Sequence, residues 1–123
     1  VTGFDRVLAA LAALVGGLGV AASAAAAHTS GGEMLKTAAQ FLLFHAPAVL
    51  ALTGLAATGF VRGGLARLAA AVLLVGLALF SGDLALRALT GTPLFPMAAP
   101  SGGVVLMAGW LLAAIAVLVP ARR

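Results

Sequence analysis

The chain has 123 residues, 63% of them hydrophobic and only 8% charged, with a mean hydropathy of +1.22; that leaves too little polar surface to cover a water-soluble globule and assigns it to a bilayer. With no cysteine, disulfides, thiolate metal sites, iron–sulfur clusters and covalently attached c-type haem are excluded. The formal charge of +4 comes from basic residues scattered singly, without the aromatic platforms of nucleic-acid binding, so no nucleic-acid partner is expected and the charge reads as topology.

The first apolar span covers residues 4–27. Arg6 before an apolar core, followed by Ala22, Ala24 and Ala26, is also the pattern of a cleaved secretory signal. Ala9, Ala13, Gly17, Ala21 and Ala25 recur every four residues, however, and so line one helix face along which a neighbouring backbone can approach closely. A signal core has no use for such a stripe. The span is therefore read as a retained helix, and His28 to Gly32 as the turn of a membrane hairpin.

A second span, over residues 36–61, ends where Arg62, Gly63 and Gly64 bring charge and flexibility. The third covers 65–89. After it, Pro93, Pro96 and Pro100 lie in a stretch that cannot continue a helix, because each proline lacks an amide donor and clashes with the preceding turn. The fourth span, 102–119, closes before Pro120, Arg122 and Arg123. Crossing the hydrocarbon takes roughly 20 helical residues, and unpaired backbone is not tolerated there. The expected fold is thus a single all-α integral membrane domain, an antiparallel bundle of four transmembrane helices. Arg6, Arg62, Arg67, Arg122 and Arg123 then share one side against Asp5, whereas Lys36 and Arg87 oppose Glu33 and Asp83 on the other. The excess of basic residues places both termini inside.

Four candidate polar residues stand out. His45 lies within the second span, where an ionisable group needs a partner or water; it is expected as a neutral imidazole bonded to a carbonyl or hydroxyl, with Pro47 freeing a nearby acceptor. His28 sits at the outer end of the first span. With the second helix starting near Glu33, the two imidazoles differ in depth by about 15 Å, too far for shared ligation of one haem iron or metal, and a site drawing on Glu33 meets the same obstacle. No cofactor or metal is therefore expected. Asp83 and Arg87 are spaced to pair on one helix face and are expected to reach into the headgroups. Trp110 falls about mid-span, away from the interfacial belt, and is expected to pack in the bundle or against another protein while its indole N–H finds an acceptor.

The segments TAAQFLLFHAPAVL (Thr37 to Leu50), GLALFSGDLALRALTG (Gly76 to Gly91) and GGVVLMAGWLLAA (Gly102 to Ala114), together with His28 after a run of small residues, resemble the small membrane proteins of the domain of unknown function 423 family, which includes the transmembrane protein 256 group. The resemblance covers most of the chain and implies a four-helix protein of bacterial plasma membranes, with relatives in mitochondria and no established activity. Phe80, Ser81 and Gly82 and the pair Gly102 and Gly103 carry the family motifs. Three departures are visible: Ala26 and Thr29 stand where the family's Gly-Ala-His-Gly has glycines around the histidine matching His28, Asp83 to Leu86 lack the family tyrosine, and Pro100 to Gly103 read Pro-Ser-Gly-Gly instead of Pro-Ile-Gly-Gly.

No catalytic triad, phosphate loop or paired carboxylates appear, so the chain is expected not to be an enzyme. The preferred reading is an accessory or scaffolding subunit that meets the lipid bilayer and other membrane-protein subunits; the family's membrane locations suggest an energy-transducing complex. The alternative is a protein that binds a quinone, lipid or haem, or passes protons, through His45, Asp83 and Arg87.

Overall fold

A computed structural model describes residues 2–30 and 32–121 of the chain. Gly31, in the expected hairpin turn, and Arg122 and Arg123, counted in the charge balance, lie outside the described residues. Thr2 starts the first helix, α1 (Gly3–Ala27). Its hydroxyl accepts from the Asp5 amide at 3.1 Å while the Asp5 carboxylate accepts from the Thr2 amide at 3.0 Å, a capping box that satisfies two amides the helix leaves unpaired.

α2 (Glu33–Thr58) begins three residues earlier than the hydropathy pattern predicts and stops before Val61. Gly59 takes φ 77°, a left-handed conformation that glycine adopts without strain and that ends a helix. Pro47 sits inside α2 without breaking it. α3 (Gly63–Thr90) ends in the same way, with Gly91 at φ 80°.

α4 (Ala98–Leu118) departs more from expectation. It starts four residues before Gly102 and includes Pro100, which the sequence pattern places in the connecting loop. A proline in the first helical turn removes an amide that has no intrahelical acceptor anyway, so Pro100 is accommodated and the connection shrinks to the stretch from Gly91 to Met97.

Among the described residues there are four helices and no strand, and all four helices are long and apolar enough to cross a membrane. The fold is an all-α four-helix bundle in which neighbours in sequence are neighbours in space: α1 packs on α2, α2 on α3 and α3 on α4, while α1 and α3 meet at only a few points. The two central helices carry most of the core, formed by Val49 and Leu52 of α2 and Ala69, Ala70, Leu73 and Leu77 of α3, joined by Leu8, Ala12 and Leu106. A second, smaller cluster of Ala56, Val61, Ala66 and Ala116 closes the end at the α2–α3 turn, where the Arg62 amide also donates to the Val119 carbonyl at 3.3 Å.

Packing of α1 corrects the stripe reading. Its buried positions are Asp5, Leu8, Ala12 and Gly19, whereas Ala13, Gly17, Ala21 and Ala25 are exposed and Ala9 is half-buried. A side chain on Gly17 would meet nothing within 4 Å, but one on Gly19 would lie 2.8 Å from Leu43. The physical reason is that Asp5 and Leu8 set the helix's rotation, and their face is offset from the small-residue row. The closest approach in the bundle is elsewhere. An added Cβ on Gly102 would stand 2.5 Å from the Phe80 amide nitrogen and 2.9 Å from the Gly76 carbonyl, and one on Gly76 would stand 2.8 Å from the Leu106 nitrogen. Glycine at both positions lets α3 and α4 touch backbone to backbone.

Candidate functional site

His45 is buried in the middle of α2 and joins three helices. Its Nδ1 lies 2.7 Å from the Phe41 carbonyl and its Nε2 lies 3.1 Å from Trp110 Nε1 on α4. A carbonyl only accepts and an indole nitrogen only donates. Nδ1 therefore carries the proton and Nε2 offers its lone pair, so the imidazole is neutral with both nitrogens engaged. The acceptor is the carbonyl one turn back in the same helix, not the Leu43 carbonyl that Pro47 leaves without its helical donor.

Aromatic rings extend this contact in both directions. Phe80 of α3 packs on Phe41 with ring centroids 4.3 Å apart, Phe41 stacks on His45 at 5.7 Å, and His45 meets Trp110 at 5.6 Å. The row of rings runs from α3 through α2 to α4, two helices that otherwise scarcely meet at that last step. Trp110 keeps 48% of its surface exposed, an apolar ring against lipid with its one polar atom turned inward. Trp110→Phe removes the indole donor to His45 Nε2, and the expected loss is about 1–2 kcal/mol of stability, measured by denaturant titration in micelles. A change below a few tenths would mean the indole bond contributes little.

Next to Phe80, the Ser81 hydroxyl donates to the Ala38 carbonyl of α2 at 3.0 Å in a buried site, and Gly82 faces Leu94, which an added Cβ would meet at an ordinary contact distance of 3.6 Å. The ring and the hydroxyl of the motif thus grip α2, whereas the packing does not require a glycine at position 82. Gly103 lies beside Phe80 at ordinary contact distance, 4.0 Å from its Cδ1.

Asp83 and Arg87 do pair, Arg87 Nε donating to Asp83 Oδ2 at 2.9 Å. The expectation that the pair reaches the headgroups is corrected for the aspartate, which is 0% exposed. Its second oxygen, Oδ1, accepts from the Leu94 amide at 2.9 Å. The carboxylate turns inward because the connection from Gly91 to Met97 folds over it and supplies an amide that would otherwise lack a partner.

A second ion pair was not anticipated. Arg67 on α3 donates through Nε to Asp5 Oδ1 at 2.6 Å and through Nη2 to Oδ2 at 3.2 Å, a two-pronged contact that joins α1 to α3. The signal was present in the opposite charges of Asp5 and Arg67 expected on one side of the membrane. Summed charge bears on topology alone and does not say which residues pair.

His28 ends α1 as its exposed C-cap, its amide donating to Ala25. His45 lies twelve residues into α2, about 18 Å along the axis, and the structure does not bring the two together. Among the described residues no group of three metal-ligating side chains converges, and the bonds already made by both His45 nitrogens do not fit haem ligation. Among the described residues the five buried polar side chains, Asp5, His45, Thr53, Ser81 and Asp83, are bonded within the fold, Thr53 donating to the Val49 carbonyl at 2.8 Å; Nε of the half-buried Arg62 is enclosed without a partner.

A family model described as Protein of unknown function (DUF423) matches residues 8–103, a span that takes in Phe41, His45, Phe80 to Gly82, Asp83 and Arg87 but stops short of Trp110. No curated protein and no solved structure matches the chain.

Proposed function

We propose that this chain, which belongs to the family described as Protein of unknown function (DUF423), serves a larger membrane complex as a multi-pass accessory subunit without catalytic activity. The observation that carries this reading is the near-closure of the polar interior: among the described residues Asp5, His45, Thr53, Ser81 and Asp83 are each committed to an internal bond, and the one buried side-chain nitrogen without a partner is Arg62 Nε, at the α2–α3 turn. Proton passage through His45 would first have to break the bond to Trp110, which weighs against a conducting role.

The helices leave a surface for partners. Only 17% of the apolar stretch of α1 is buried, against 39% for α3, and the outward pair Ala13 and Gly17 suits the close approach of another helix. The proposed location is a bacterial plasma membrane with both termini in the cytoplasm, supported by Arg6, Arg62 and Arg67 at the end that holds the termini. An energy-transducing assembly is the class of complex to test first.

The test is native-gel migration of the tagged chain, expressed at its natural level and extracted in mild detergent, with mass spectrometry of its band. A large band with stoichiometric companions is expected. Gly17→Leu, at a position with no neighbour within 4 Å, is expected to leave the fold intact and to lower recovery of the companions about tenfold, as loss of roughly 1.4 kcal/mol would do. Migration of the wild-type chain alone would overturn the proposal.

A further inference from the structure

We infer that the cleft between α1 and α3 seats one acyl chain of a phospholipid, drawn from the leaflet on the side of the α1–α2 and α3–α4 connections. At the opposite end the two helices are tied by Asp5 and Arg67, and Leu8 and Ala12 share the core with Ala69 and Ala70. Past that contact they part, leaving a cavity of about 580 Å³, within the range of small-molecule sites. Val15, Ala21 and Ala25 of α1 form one wall, and Leu74, Ala78 and Leu89 of α3 form the other. Leu35 and Leu42 of α2 line it between them, so a chain lying there is enclosed by three helices and open to the bilayer on one side.

Chemistry and length select the occupant. The lining's single hydroxyl, Ser81, is bonded to the Ala38 carbonyl. A polar ring or headgroup would find no partner inside the cleft, whereas a hydrocarbon chain needs none. The lining runs about 15 Å along α1 and about 22 Å along α3 at 1.5 Å per residue, against roughly 30 Å for the whole hydrocarbon core. A transmembrane helix of a partner or of a second copy would need the full depth and a width of about 10 Å, but the ion pair and the small-residue packing close the lower part. A chain confined to one leaflet fits the half-depth cleft, with its headgroup left in the interface above Ala25 and Leu89.

The test uses the full chain reconstituted in phosphatidylethanolamine and phosphatidylglycerol vesicles that contain phosphatidylethanolamine with a photoactivatable diazirine on one acyl chain. After illumination, peptides bearing Ala21, Ala25 and Ala78 are expected to be labelled about fivefold above those bearing the lipid-exposed Val104 and Met107, a ratio that a preference of modest size produces. Ala78→Phe, which adds a ring at an exposed lining position, should lower labelling of α1 to the level of α4, and Val104→Phe should not change it. Equal labelling of the cleft and the α4 face in the wild-type chain would overturn the inference without reference to any variant. So would unchanged labelling in an Ala78→Phe protein of normal helicity. Displacement of the cleft label by excess isoprenoid quinone but not by unlabelled phospholipid would overturn the phospholipid assignment.

Discussion

Gly102→Ala is expected to lose about 3 kcal/mol of stability, at the upper end of what overpacking by a single methyl group costs. The added carbon would lie 2.5 Å from the Phe80 amide nitrogen and 2.9 Å from the Gly76 carbonyl. Both are backbone atoms, so no side-chain rotation relieves the clash, and α3 and α4 must separate. Separation draws Leu106 away from Gly76 and loosens Phe80, whose ring carries the aromatic row to Phe41. Unfolding in mixed micelles measures the loss, with Gly17→Ala as the control expected to stay within about 0.5 kcal/mol. A Gly102→Ala protein as stable as wild type would show that α3 and α4 do not approach as closely as described.

Asp83→Ala is expected to lose about 1–3 kcal/mol: the carboxylate is buried and its loss leaves the Leu94 amide without a partner, whereas Arg87, 39% exposed, can turn to the interface. Hydrogen exchange distinguishes this loss from general unfolding: the amides from Gly91 to Met97 should exchange faster while those of the α2 core stay protected. Adding Arg87→Ala to Asp83→Ala should cost less than the sum of the two single changes, the mark of a direct interaction. Strict additivity would mean that the aspartate acts on the connection alone.

The bundle was legible because hydrophobic length and proline or glycine breaks operate on single segments. Four spans, their order and the pairing of Asp83 with Arg87 follow from spacing along one helix. What was not legible depends on rotation about the helix axis. The row from Ala9 to Ala25 has the right period for a packing face, yet Asp5 reaches Arg67 across 62 positions and turns a different face inward. Ala98 starts α4 ahead of Pro100 because first-turn position, not proline itself, decides whether a helix tolerates the ring. The need of the Trp110 indole for an acceptor was evident from its mid-span position, but its identity as His45 required knowing that α4 crosses back over α2.

The serial contact pattern has a consequence for the order of events during synthesis. Most contacts link a helix to the one made just before it, so each new span finds its template already in place. Two bonds do not follow that rule, Arg67 to Asp5 and Trp110 to His45, separated by 62 and 65 positions. At about 5–20 residues per second, Asp5 waits on the order of 3–12 s for its counter-charge. Until Arg67 emerges, α1 is held by α2 alone and its tilt stays adjustable. The histidine likewise waits for α4, so the tryptophan bond can form only after all four described helices have been made.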